Sequence, residues 1–341
     1  MSPLVIGSLL ATAWILSIAL QRYRVPDILG FLALGMALGS FGFGVIHISL
    51  SSRGIGTIIA LAASVLLYEA GRGLKIEHIR PAWRGLFLLV TMGVIITAGL
   101  AAVAARLSFG WDWQTALLLG AVIAATDPAA VIPVMRQVGM ADRVSNIAQA
   151  ESALNDATGA ILTLATIEIV RHGTMSPLGV LSTFLYTGLG GIAIGVATAA
   201  CTAWIAHSRR SRDADLGAHN QQVVELITVL LAYGVATHLG SSGYMAAFAA
   251  GVVHSRTVVR AAYSTKPFFS TMSFLSRLAV FVLLGATFDP RAAAIPILAT
   301  VAFLAAFMCV IRPLAVFSSL LPDRNAKWTL RELLMLSWVR E

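Results

Sequence analysis

The chain has 341 residues, 58% hydrophobic and 12% charged, with a formal net charge of +8 and a mean hydropathy of +0.83. A soluble domain carries about twice that charged fraction, and a basic excess is what the cytoplasmic loops of a membrane protein collect, so nucleic acid is excluded as the partner. The apolar runs are continuous rather than alternating, which excludes a lipid-embedded barrel and leaves an all-α polytopic membrane protein.

In chain order, the apolar runs predict about eleven crossings of the roughly 30 Å hydrocarbon layer. They lie near 3–20, 26–43, 55–71, 84–106, 112–136, 145–171, 176–206, 221–239, 240–256, 268–288 and 291–320, and a further helix starts near Thr329. The run from Pro3 to Leu20 has no basic start and no small-residue cleavage site, so it reads as a first span rather than a signal peptide. Loops after alternate spans hold Arg22, Arg24, Arg72, Lys75, Arg80, Arg136, Arg143, Arg209, Arg210, Arg212, Arg256, Arg260 and Lys266. Gathered on one side, they make that side cytoplasmic and the amino terminus external. Cys201 and Cys309 lie in apolar runs without metal-like spacing and are expected as packing residues. Arg277, Arg312 and Glu168 are expected to snorkel toward the membrane surfaces.

Two segments resist such explanations. In the fifth span, Ala125-Thr126-Asp127-Pro128-Ala129-Ala130-Val131 puts a proline inside a helix, which removes a hydrogen bond and predicts unwound backbone with free carbonyls near Thr126 and Asp127. Broken helices at membrane depth are where transporters build ion sites. In the sixth span, Glu151-Ser152-Ala153-Leu154-Asn155-Asp156 places Ser152 and Asp156 on one helical face, with Glu151 and Asn155 on the adjoining one. Counting the helical rise, Asp127 and Asp156 reach about 14 Å and 16 Å from the cytoplasmic ends of neighbouring antiparallel spans.

Two carboxylates at one depth, with a hydroxyl and freed carbonyls, form an oxygen cage for a hard cation. Desolvation also makes such a carboxylate a proton acceptor. Proton and cation then compete for one site, which is the chemistry of antiport. Local alternatives stand beside this: Asp127 as a half-helix cap, Ser152 bonded to its own preceding turn, Asn155 as a tie between helices, Glu151 as a structural charge with Arg340 as partner, and Glu69 as an interfacial residue. Paired buried aspartates also serve intramembrane aspartyl proteases, but the chain has no Tyr-Asp followed by Gly-x-Gly-Asp. It has no nucleotide or cofactor motif either, which points away from an enzyme and from direct coupling to ATP.

These two segments resemble the cation:proton antiporter superfamily of sodium/proton exchangers. Supporting pieces are Val25-Pro26-Asp27-Ile28-Leu29-Gly30, the glycine- and alanine-rich run from Gly243 to Gly251, and the closing Trp338-Val339-Arg340-Glu341. The resemblance implies an inverted-repeat fold with broken, crossing helices. Residues 1–71 and 221–288 would form a dimerisation domain, 84–171 and 291–341 an ion-transport domain, and 176–206 a linker helix. It implies a homodimer in the inner membrane that exchanges Na⁺, or alternatively K⁺, for protons, in support of pH homeostasis and without a cofactor. Asp156 would bind ion and proton with Asp127, Thr126 and Ser152, while Glu151, Arg340, Asn155 and Glu69 support them. Asn rather than Asp at position 155 resembles the branch regarded as electroneutral. The family's transport domain runs past the position of Glu341, so the resemblance implies a shortened chain, and with it the alternative of a fragment unable to transport.

Overall fold

The computed structural model describes residues 3–23, 25–46, 53–74, 82–125, 142–172, 177–208, 214–257, 262–288, 296–323 and 329–338. Among them there are helices and no strands. The helices are α1 (Pro3–Arg22), α2 (Asp27–Leu38), α3 (Arg53–Gly73), α4 (Trp83–Phe109), α5 (Trp113–Ile123), α6 (Asp142–His172), α7 (Pro177–Ser208), α8 (Ala214–His238), α9 (Gly243–Thr257), α10 (Ala262–Ala286), α11 (Ile297–Leu320) and α12 (Leu330–Trp338). They fall on the apolar runs in order. The stretches Gly54–Gly73, Trp83–Phe109, Leu185–Ala206, Pro267–Ala286 and Ile297–Leu320 are long and apolar enough by themselves to cross a membrane.

Local chemistry sets several ends. Gly110 closes α4 at φ +69°, a left-handed conformation that suits glycine, and its N–H donates to the Arg106 carbonyl. Two residues on, the Asp112 carboxylate accepts from the Gln114 and Thr115 amides and starts α5. A capping box opens α12: Thr329 N–H donates to the Glu332 carboxylate at 2.9 Å, and Glu332 N–H donates back to the Thr329 hydroxyl at 3.2 Å.

Packing follows small residues. Helix α9 lies against α3, α7 and α8, and α2 lies along α10. A Cβ at Gly71 of α3 would run into the Phe248 carbonyl of α9, and one at Gly251 of α9 would run into the Tyr68 carbonyl of α3. Such reciprocal contacts are how helices associate in lipid, where close van der Waals approach replaces the hydrophobic drive. Separately, α4 packs on α5, α5 on α6, and α11 on α4, while α6 also touches α3, α7 and α9. The apolar residues left outside, such as Leu4, Leu107, Ile297 and Leu298, are mostly exposed and present a lipid-facing surface.

Two expectations are corrected, for the cysteines and for Arg312. Cys201 and Cys309 are exposed rather than packed inside. Arg277 sits 3.8 Å from Asp27, in the first turn of α2. Arg312 is 3% exposed, buried because its helix faces α4 instead of lipid at that turn.

Candidate ion-binding site

The site grows from α6. Asp156 stands near the middle of this 31-residue helix, and around it Glu151, Ser152 and Asn155 are all buried. Glu151 is 2% exposed and Asn155 fully enclosed, a placement that lipid-depth charges and amides take only toward a protein interior. Thr158 turns its hydroxyl back to the Leu154 carbonyl at 3.2 Å. Glu69 is half-buried near the end of α3.

The second segment approaches the same stretch of α6. Helix α5 ends at Ile123, and Ala124 and Ala125 leave it in a turn. Ala125 lies so close to α6 that a Cβ at Gly159 would meet the Ala125 Cβ at 2.7 Å. Ala124 packs with Val94, Ala98 and Leu162. The helical period places position 159 on the face of positions 152 and 156. The chain two residues before Asp127 therefore abuts the turn that follows Asp156. Thr126, Asp127, the Pro128 break and Arg340 lie outside the described residues, as does the side chain of Asp156.

Glu151 opens onto a narrow crevice. Leu89, Gly93, Val94 and Thr97 of α4 line one wall, and Arg312, Ala315 and Val316 of α11 the other. A carboxylate and a guanidinium, both almost wholly buried, thus line one crevice. Both helices depart from α geometry there. Leu89–Gly93 in α4 and Phe307–Ile311 in α11 are single π-helical turns, the second directly before Arg312. Such turns insert one residue into a helix and concentrate at functional positions. Thr97 donates to the Gly93 carbonyl at 2.7 Å, bracing the end of the first. The Arg312 guanidinium also lies 5.8 Å from the Phe307 ring centre. Sequence reasoning missed Arg312. The signal was Arg312-Pro313, a charge and a helix-disrupting proline side by side deep in an apolar run.

Comparison with known proteins bears on this geometry. The model of the family described as "Sodium/hydrogen exchanger, transmembrane" matches residues 7–340. The chain belongs to the sodium/hydrogen exchanger family. Among similar family proteins, the K⁺/H⁺ antiporter NhaP of Alkalimonas amylolytica is 26% identical over 339 residues, covering 98% of this chain and 57% of that protein. The K⁺/H⁺ antiporter NhaP2 of Shewanella sp. (strain ANA-3) is 28% identical over 338 residues, with the same two coverages. The chain thus spans 57% of the length of these curated relatives. The sodium proton antiporter MjNhaP1 of Methanocaldococcus jannaschii, in a structure at pH 8, superposes with a TM-score of 0.78 at 22% identity, over 98% of this chain and 83% of that one. The exchanger fold expected from the sequence is the fold of this chain, and the chain is a membrane protein.

Proposed function

We propose that the protein is a secondary antiporter that exchanges a monovalent cation for protons by alternating access. The observation that carries this reading is the approach of Ala125 to Gly159, which brings the backbone leading to Asp127 onto the face of α6 that carries positions 152 and 156. Asp156 is the shared site for proton and cation, with Asp127, Thr126 and Ser152 completing an oxygen cage. When the carboxylate is desolvated its proton is held more tightly, so cation and proton exclude one another instead of binding together. Glu151, with Arg340 as its partner, Asn155 and Glu69 support the cage, and the buried Arg312 lines the crevice that Glu151 opens onto. The residues of α1–α3 and α8–α10 form a dimerising part, those of α4–α6 and α11–α12 a transporting part, and α7 the link between them. The protein works as a homodimer in the inner membrane with its amino terminus outside.

The test uses full-length protein in proteoliposomes with a pH-sensitive dye. Addition of Na⁺ or K⁺ should dequench the dye, and Asp156→Asn should abolish the response. Persistent exchange in that variant would refute the assignment. The sequence reading places Na⁺ first. K⁺ stands beside it because the NhaP relatives are named K⁺/H⁺ antiporters, and the half-saturating concentration of each ion in the same assay decides between them.

A further inference from the structure

Outside the candidate site, a second polar cluster lies among α3, α7, α8, α9 and α10. The Glu225 carboxylate of α8, 1% exposed, is 2.8 Å from the Arg72 guanidinium of α3. One turn earlier on α3, the enclosed Tyr68 hydroxyl lies 3.2 Å from Glu225 Oε2 and 2.7 Å from Nδ1 of His254 on α9. His254 Nε2 lies 3.2 Å from the Ala199 carbonyl of α7. A carbonyl only accepts, so Nε2 carries the hydrogen and Nδ1 is the ring atom that meets Tyr68. Thr228 of α8 donates to Thr202 of α7 at 2.7 Å, and the Phe269 ring of α10 lies 5.0 Å under the Arg72 guanidinium.

Apolar replacements would hold these helices together at least as well, because a buried ion pair loses in desolvation most of what it gains in attraction. What directional bonds add is orientation. Helices that meet through glycine and alanine have little side-chain relief to fix their rotation, and α3 meets α9 in that way at Gly71 and Gly251. The part held by Tyr68 and Arg72 is the end of α3. Glu69 stands between these two residues, and just beyond them Leu74 packs against the cluster of Leu86 and Val90 of α4 and Ala150 of α6, which Leu154 of α6 also joins, on the stretch that carries Glu151 and Ser152.

We propose that Tyr68, Arg72, Glu225 and His254 are positioning residues for exchange: they lock the rotation of the last turn of α3, and so fix the surface on which the 150–154 segment of α6 rides. The proposal rests on the antiport reading above. It concerns the rate of the conformational step and leaves cation affinity to the residues of α6.

The experiment measures maximal rate and half-saturating cation concentration separately, in proteoliposomes of full-length protein whose variants match the wild type in melting temperature. Arg72→Gln and Glu225→Gln are each expected to lower the maximal rate about tenfold while half-saturation stays within about twofold. The exchanged pair, Arg72→Glu with Glu225→Arg, is expected to recover the rate to within about threefold of wild type. If the single-charge variants do not fold, Tyr68→Phe removes one hydroxyl and keeps the ring, and its maximal rate should fall about threefold at unchanged half-saturation. Wild-type rates in folded variants would overturn the proposal, as would a loss of rate matched by a loss of affinity. A wild-type protein that exchanges nothing would instead refute the antiport reading, so the two failures are distinguishable.

Discussion

Glu151 and Arg312 face the same crevice from different helices, and both are almost wholly buried. Opposite charges buried in one crevice each alter the cost of burying the other, so changes at the two are expected to couple. In the melting temperature of the detergent-solubilised protein, Arg312→Met and Glu151→Leu together should therefore cost less than the sum of the two separate losses. Additive losses would show that the two charges do not interact. The sequence made Glu151 legible as a charge that needs a partner, because nothing else explains a carboxylate next to Ser152 in mid-span. It offered Arg340 as that partner, which lies outside the described residues, and gave no sign that Arg312 is buried beside Glu151. Arg312 stands far from Glu151 in the chain, and only the rotation of α11 toward α4 separates a buried guanidinium from a snorkelling one. The cluster of Tyr68, Arg72, Glu225 and His254 was hidden for the same reason: Tyr68 and Glu225 meet across 157 positions, and Arg72 alone looks like any basic residue at a cytoplasmic helix end.

At the scale of elements, the apolar runs located every described helix because a crossing must satisfy its own backbone and the membrane sets its length. Which helices touch is decided by small residues, and that makes a contrast available. Gly251→Ala places a methyl group against the Tyr68 carbonyl, whereas a Cβ at Gly56 meets nothing within 4 Å. The first should destabilise by about 1–3 kcal/mol through overpacking. The second should be neutral or stabilising by up to about 1 kcal/mol, from helix propensity alone. Thermal unfolding of the two variants checks the pair, and equal effects would contradict the close crossing of α3 and α9. The π-turns in α4 and α11 were not legible, since a single inserted residue leaves the apolar pattern of a long span almost unchanged.

For the whole molecule, the exposed apolar surface of α11 is expected to face lipid. Cys309 tests this, standing near the middle of α11 with its side chain exposed. A thiol in lipid cannot form the reactive thiolate, so a charged maleimide should leave Cys309 unmodified in intact membranes and label it after denaturation. Rapid labelling in membranes would place α11 against water. The exchanger fold and the α6 segment are read directly from two motifs, while the cation, the rate and the coupling belong to the assembled site. The claim on which these depend is that one carboxylate holds either a proton or a cation. It is tested most directly by adding saturating Na⁺ or K⁺ to purified full-length protein in weakly buffered detergent solution and recording the protons set free. Cation binding at a protonated site should release about one proton per chain, and Asp156→Asn should release none; an undiminished release from that variant would contradict the account.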